Sequence, residues 1–79
     1  ELGIRVNAVC PTFVDTPLTR PVFEANPDFA ADIHGRTPMG RLATPEEVAA
    51  AVAFLCLPAS AYIAGECIAI DGGFLRYGF

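Results

Sequence analysis

The segment Cys10-Pro11-Thr12-Phe13-Val14-Asp15-Thr16 carries the clearest local chemistry in the chain. A rigid proline, exposed main-chain donors and acceptors, and the Thr16 hydroxyl can hold a polar ligand where such a segment leaves the carboxyl end of a strand. The other reading is an ordinary strand exit, with Thr16 capping the next helix. His34 has a ring suited to proton transfer. No partner is placed for it by spacing, so it reads as a surface or packing residue. Arg20 and Arg36 suit an anionic substrate, although solvated pairs with Glu24, Asp28 or Asp32 are the commoner outcome for such residues. Asp71 precedes Gly72-Gly73 and reads as a turn-former, with no second carboxylate placed for acid-base work. Cys10, Cys56 and Cys67 lie in apolar runs and form no Cys-x-x-Cys or Cys/His ligand set. They read as buried free thiols of a reducing compartment. No catalytic residue and no metal ligand is assigned within the chain.

These groups need elements to position them. Residues 4–10 are rich in β-branched side chains and stop at Pro11, which predicts a strand. Glu1-Leu2-Gly3 ahead of it reads as a helix end, with Gly3 in the left-handed region. Residues 17–40 form a long connection holding Pro17, Pro21, Pro27 and Pro38, of the length that lids and binding loops have. Two helical turns are expected inside it. Leu18, Val22 and Phe23 give one apolar face, and Phe29, Ala30 and Ile33 another. Residues 45–57 predict a helix. Thr44 is its N-cap, Pro45 its first residue, and Glu47 completes a Thr-x-x-Glu capping box. From Val48 to Leu57 every residue is apolar. After a connection with one more helical turn, residues 66–71 predict a second strand, continuously apolar at its centre. An aromatic tail, residues 74–79, closes the chain.

The composition fits this order. The chain has 79 residues, a net charge of -4 and 53% apolar residues. Its seven glycines bring the apolar share to about 62%, against a usual ~45–50% for that wider set. That excludes a disordered tail. The longest helical apolar run is about half the ~20 residues a bilayer span needs. No basic region precedes an apolar stretch at the start, so no signal peptide is expected. Five Lys+Arg against nine Asp+Glu argue against a nucleic-acid surface. A helix apolar on all sides must be covered on all sides, by a sheet on one face and another chain on the other. A strand, a long crossover and a strand make a parallel unit. Two strands and one strong helix do not complete a sheet covered on both faces. The expectation is α/β: residues 1–79 as the C-terminal portion of one doubly wound parallel-sheet domain, with a lid or binding loop at 17–40 and the half that precedes it absent.

The motifs resemble those of the short-chain dehydrogenases/reductases. Ile4-Arg5-Val6-Asn7-Ala8-Val9-Cys10-Pro11, followed by Val14 and Thr16, resembles the family's sixth strand and its loop. Arg36-Thr37-Pro38-Met39-Gly40-Arg41 resembles the stretch ahead of the penultimate helix, Thr44-Pro45-Glu46-Glu47-Val48-Ala49 the start of that helix, and Ile70-Asp71-Gly72-Gly73 the final strand. The likeness covers nearly the whole chain in family order. It is nearest the subgroup of tropinone-reductase-like, gluconate-dehydrogenase-like and 3-oxoacyl-reductase-like enzymes.

By that resemblance the loop meets the nicotinamide end of NAD or NADP. Pro11 and Thr12 would line it, the Val14 main chain would pair with the carboxamide, and Thr16 would bond the carboxamide or a phosphate. Thr12 stands where the family usually has Gly. Leu18, Val22, Phe23, Phe29 and Ile33 would wall a substrate lid, or else simply pack the lid onto the body. The resemblance implies an NAD(P)-dependent oxidoreductase that interconverts a small alcohol and a ketone by hydride transfer, cytoplasmic, and a homotetramer through helix 45–57 and strand 66–71. Neither Tyr62 nor Tyr77 has a Lys four residues on, and the chain contains no Lys. The family's catalytic Ser and Tyr-x-x-x-Lys are therefore expected elsewhere in the parent, and these residues alone would be inactive. The alternative is a truncated, non-catalytic association module that docks on a full-length partner.

Overall fold

Two short strands pair in parallel: β1 (Ala8–Pro11) and β2 (Cys67–Ile70), in the register Ala8 with Cys67 through Pro11 with Ile70. Between them come α1 (Arg20–Ala25), α2 (Pro27–Arg36), α3 (Pro45–Leu55) and a single 3-10 turn, Pro58–Ser60; α4 (Phe74–Tyr77) follows β2. This computed structural model describes residues 3–77. Glu1 and Leu2, part of the expected helix end, and Gly78 and Phe79 of the aromatic tail lie outside the described residues. Gly3 has a φ of 68°, as a helix-ending glycine does. Residues 74–77 of the expected tail form the helix α4.

β1 starts four residues later than predicted. Its partner is the reason. Opposite Val6 the chain is still turning at Gly65, whose φ is 72°. The Gly65 N–H donates to Val6 O at 2.8 Å, and the regular ladder begins with Ala8 N–H to Glu66 O at 2.8 Å. Side chains bridge the gap. The Asn7 amide donates to Ile63 O at 3.0 Å and accepts from Glu66 N at 3.0 Å. Arg5 sends Nη1 to Ser60 O and Ile63 O, at 2.9 and 2.8 Å, and Nη2 to Leu55 O at 3.0 Å. One guanidinium thus ties the end of α3 and the following turn to the entry of β1.

α3 begins as predicted. Thr44 accepts from Glu47 N, and Glu47 accepts from Thr44 N, the reciprocal capping box. It ends at Leu55 instead of Leu57 because Pro58 excludes helical geometry at the residue before it. Leu57 is extended, with φ −94° and ψ 156°. α2 is a full ten-residue helix where a single turn was expected, with Pro27 in its first turn and Thr37 closing its end. The Thr37 hydroxyl donates to Ile33 O at 2.7 Å.

The cysteines differ from the expectation of buried free thiols. Cys10 and Cys67 form a disulfide, and Cys56 is free but exposed. The register explains it. Cys10 faces Ala69 and Cys67 faces Ala8, so the two cysteines share one face of the sheet as diagonal neighbours.

The chain leaves much apolar surface open. Ile33 is the buried hydrophobic side chain among the described residues, and none in α3 is buried. Val52, Phe54 and Leu57 are 44%, 42% and 51% exposed. The accessible area is 5731 Å², against roughly 4,600 Å² for a compact chain of this mass. The radius of gyration is 15.1 Å, against about 11.6 Å for a compact domain of this length. The apolar surface of α3, which its sequence requires to be covered, is open in this chain. Among the described residues no helix is long and apolar enough to cross a membrane.

Candidate functional site

The 11–16 loop leaves β1 under tight main-chain control. Thr12 N donates to Ile70 O at 3.3 Å, which extends the ladder by one step. Val14 then forms a parallel bridge with Ala43: Ala43 N donates to Phe13 O at 3.2 Å, and Asp15 N donates to Ala43 O at 2.8 Å. In such a bridge the central residue's own polar groups face the other way. The Val14 carbonyl accepts from the Thr19 hydroxyl. The Val14 N–H has no hydrogen-bond partner among the described residues.

Thr16 is held by Thr19. Thr16 N donates to Thr19 Oγ1 at 3.0 Å, Thr19 N donates to Thr16 Oγ1 at 3.2 Å, and the two hydroxyls are 3.1 Å apart. The Thr19 proton is committed to Val14 O. The hydroxyl contact therefore runs from Thr16 to Thr19. Arg20 N donates to Thr16 O at 2.9 Å, so this pair also caps the turn entering α1. What Thr16 Oγ1 retains is one acceptor lone pair. Thr16 thus caps the turn, as one of its two sequence readings expects, and its hydroxyl oxygen keeps one acceptor site.

The carboxyl end of β2 lies beside this loop. Asp71 turns the chain as predicted, with Oδ1 accepting from Gly73 N and Oδ2 from Leu75 N, both at 3.0 Å. These two bonds hold its carboxyl below the usual range, the Leu75 N–H having the larger effect. Gly72 and Gly73 have φ of 58° and 94°. A Cβ on Gly72 would sit 2.9 Å from Thr37 Cγ2, and one on Gly73 2.9 Å from Pro38 Cγ. Met39 N donates to Gly72 O at 3.1 Å. The Asp-Gly-Gly turn is therefore the close seat for residues 37–39. A cavity of about 100 Å³ lies here, between Thr12, Ile70 and Asp71 on one side and Met39, Arg41 and Glu47 on the other.

Helices α1 and α2 fold onto the 11–16 loop through aromatic rings. Phe13, Phe23 and Phe29 meet edge to face, with centroids 5.4 to 5.9 Å apart. Ile33 of α2 is 6% exposed. Leu18 and Val22 point outward, at 83% and 51% exposed. Of the five lid residues predicted from sequence, the structure brings together Phe23 and Phe29, buries Ile33, and leaves the other two in solvent. A cavity of about 580 Å³ opens between Phe23, Ala30 and His34 of α1 and α2 and Asp15, Arg20 and Arg41. Its arginines are engaged. Arg20 pairs with Asp15 at 3.0 Å, a partner outside those expected, and Arg41 pairs with Glu47. Arg36 pairs with Asp32 at 3.1 Å, as expected. His34 stands edge-on to Phe23, centroids 6.3 Å apart.

Three residues escaped the sequence reading. Phe13 holds α1 and α2 through Phe23 and Phe29, Arg5 clamps three carbonyls, and Arg41 grips Glu47. An aromatic ahead of two apolar helical faces was a visible signal for Phe13. Arg5 reaches partners 50 or more positions away, which spacing does not reveal.

Residues 1–75 match the family profile described as enoyl-(acyl carrier protein) reductase. A tropinone reductase homolog of Arabidopsis thaliana is 49% identical over 77 residues, covering 98% of this chain and 28% of that relative. Among solved structures, a protein of Thermus thermophilus superposes with a TM-score of 0.87 at 49% identity, covering 96% of this chain and 31% of that one. An Agrobacterium tumefaciens structure with bound NADP, described as a 2-deoxy-d-gluconate 3-dehydrogenase, gives a TM-score of 0.84 at 34% identity, over 90% of this chain and 28% of that one. The chain thus spans less than a third of the length of each of these three proteins.

Proposed function

Because the chain belongs to the short-chain dehydrogenase/reductase family and shares its Rossmann-type fold, we propose that it serves an NAD(P)-dependent oxidoreductase interconverting an alcohol and a ketone. In this reading the 11–16 loop holds the nicotinamide end of the cofactor, residues 17–40 cover the substrate, and α3 with β2 meets another subunit of a homotetramer. The observation that carries it is the unpartnered Val14 N–H beside a Thr16 hydroxyl with one free acceptor site. A carboxamide needs one donor for its oxygen and one acceptor for its NH2. Val14 and Thr16 offer that pair. A phosphate would need the Thr16 proton, which Thr19 already takes, so the carboxamide is the better partner of the two. The residues present fit the cofactor.

Bound there, NAD(H) or NADP(H) supplies or accepts the hydride. The 79 residues hold and orient the ring, and the aromatic lid excludes water from the reacting carbon. The proton for the ketone oxygen comes from a group outside them. The NADP in the Agrobacterium tumefaciens structure supports the cofactor assignment, and the exposed Val52, Phe54 and Leu57 support the subunit contact. The same exposed faces favour a second reading, a non-catalytic module that associates with a full-length partner.

Cofactor titration of the full-length protein separates the two. NADH and NADPH are titrated by fluorescence and a panel of small ketones is assayed. At least one cofactor is expected to bind with Kd between roughly 1 μM and 1 mM. Val14→Pro removes the N–H and is expected to weaken that binding at least tenfold. Binding of neither cofactor, in a folded protein, overturns the enzyme reading and leaves the association module.

A further inference from the structure

Thr19 stands just ahead of α1, yet its side chain does not cap that helix. A threonine in this place ordinarily accepts from the second or third helical N–H. Pro21, the second residue of α1, has no N–H to give. The Thr19 hydroxyl turns back to the loop instead and serves it as a hub. Oγ1 accepts the Thr16 N–H at 3.0 Å and stands 3.1 Å from Thr16 Oγ1. Its own proton goes to Val14 O, with Thr16 O at 3.4 Å as the longer alternative. A hydroxyl has one proton and two lone pairs, and all three are used. Every partner lies within residues 14–19, so the hub does not depend on what packs around the loop.

The consequence falls on polarity. Whichever carbonyl takes the Thr19 proton, Thr16 must supply the hydrogen between the two hydroxyls. Thr16 Oγ1 also accepts the Thr19 N–H at 3.2 Å. Its proton is spent and one lone pair is left. The bond to Val14 O acts on the other contact. In an extended residue N–H and C=O point to the same side, so Thr19 keeps the Val14 N–H turned away from Ala43. The loop then offers one donor and one acceptor, and it cannot offer two donors.

We propose that Thr19 is a positioning residue that fixes the Thr16 hydroxyl as an acceptor and so makes the loop select a nicotinamide carboxamide over the corresponding carboxylate. This rests on the cofactor reading above. The carboxamide oxygen takes the Val14 N–H and its NH2 donates to Thr16. A ring carboxylate has two acceptor oxygens and no donor. One of them meets the Val14 N–H, and the other faces the Thr16 lone pair with no hydrogen between them.

The test compares two ligands that differ at that group alone. NAD and nicotinic acid adenine dinucleotide, and the 2′-phosphorylated form of each, are titrated calorimetrically into the full-length protein. The wild type is expected to bind the carboxylate form at least tenfold more weakly than the carboxamide. Thr19→Val keeps the branched shape and removes the hub, which frees the Thr16 proton to donate. Its carboxylate-to-carboxamide ratio of Kd is expected to fall at least fivefold. Thr19→Ser restores the hydroxyl and is expected to keep the wild-type ratio. A merely structural role weakens both ligands alike, so an unchanged ratio in Thr19→Val overturns the proposal. So does a wild-type ratio within twofold of one, a measurement that needs no variant to fold. In both cases the cofactor reading stands. Binding of neither NAD nor NADP by the folded wild type overturns that reading and the proposal together.

Discussion

Arg41 grips Glu47 with both terminal nitrogens, Nη1 to Oε1 at 2.8 Å and Nη2 to Oε2 at 2.6 Å, while Oε1 also accepts the Thr44 N–H at 2.8 Å. A single carboxylate therefore serves two structures. It completes the capping box of α3 and fastens the residue that ends the 36–41 stretch. Arg41 and Glu47 also wall the small cavity beneath Thr12. The start of α3 and the 36–41 stretch are thus joined through one ion pair.

That pair has a pH signature. Glu47 is lowered from 4.5 to about 2, chiefly by its hydrogen bonds from Arg41 and then by the Thr44 N–H. Its folded value lies below its unfolded value. The stability it contributes is therefore fully present above about 4.5 and is lost as pH falls toward 2. A carbon-detected titration of the Glu47 side chain is expected to show this low midpoint. Arg41→Ala is expected to move it back toward 4.5 and to bring the acid loosening of α3 to higher pH. A wild-type midpoint near 4.5 would show that the bidentate grip does not persist in solution.

Arg5 makes a different kind of clamp, on three main-chain carbonyls instead of a carboxylate. Removing it leaves the Leu55, Ser60 and Ile63 carbonyls short of a donor at the junction of α3 and β1. Hydrogen bonds to a charged group contribute about 1.5–3 kcal/mol, so Arg5→Ala is expected to cost about 2–3 kcal/mol in denaturant melts of the full-length protein. Arg5→Lys, a point charge without the planar fork, is expected to recover less than half of that. A loss under about 0.5 kcal/mol for Arg5→Ala would refute the clamp.

How legible these features were in the sequence depended on the range of the interaction. Thr44, Pro45 and Glu47 declared the start of α3 because capping operates within four residues. Pro58 also declared where the helix had to stop, and its effect on Leu57 was underweighted by two residues. Helices α1 and α2 were visible through their apolar spacing, but α2 is longer than its short apolar face suggests, since Asp28 and Arg36 fit its dipole and Thr37 closes it. The Cys10–Cys67 bond was not legible. It depends on the register of two strands 57 positions apart, and the same cysteines shifted by one residue would point to opposite faces. At the candidate site, Val14 and Thr16 were nameable from the resemblance. What left the Val14 N–H free was its bridge to Ala43, and that is a tertiary fact.

The two glycines after Asp71 separate crowding from backbone strain. Gly40, Gly72 and Gly73 all have positive φ. A Cβ on Gly40 meets nothing within 4 Å, whereas Gly72 and Gly73 each place one 2.9 Å from a carbon of Thr37 or Pro38. Gly40→Ala is expected to cost about 1–2 kcal/mol, the backbone penalty alone. Gly72→Ala and Gly73→Ala are each expected to cost about 1–3 kcal/mol more, from overpacking against the 37–39 segment. Thermal melts of the three variants check the order. Equal losses at all three would mean that the close seat is not kept in solution.

Phe23 offers the most direct probe of the lid. It is the ring that touches both Phe13 of the loop and Phe29 of α2, at 5.6 and 5.4 Å, and it lines the larger cavity. Each edge-to-face pair contributes about 0.5–1.5 kcal/mol beyond its burial. Phe23→Leu keeps an apolar side chain but removes both ring pairs. If residues 17–40 cover the substrate, the lid should close less firmly while the Val14–Thr16 cofactor contacts remain. The expected result is a KM for the ketone raised about three- to tenfold, with the cofactor Kd unchanged and kcat within about twofold. Such a pattern marks lost substrate binding. A change confined to cofactor affinity would place Phe23 in support of the loop instead, and an unchanged KM would remove it from the lid.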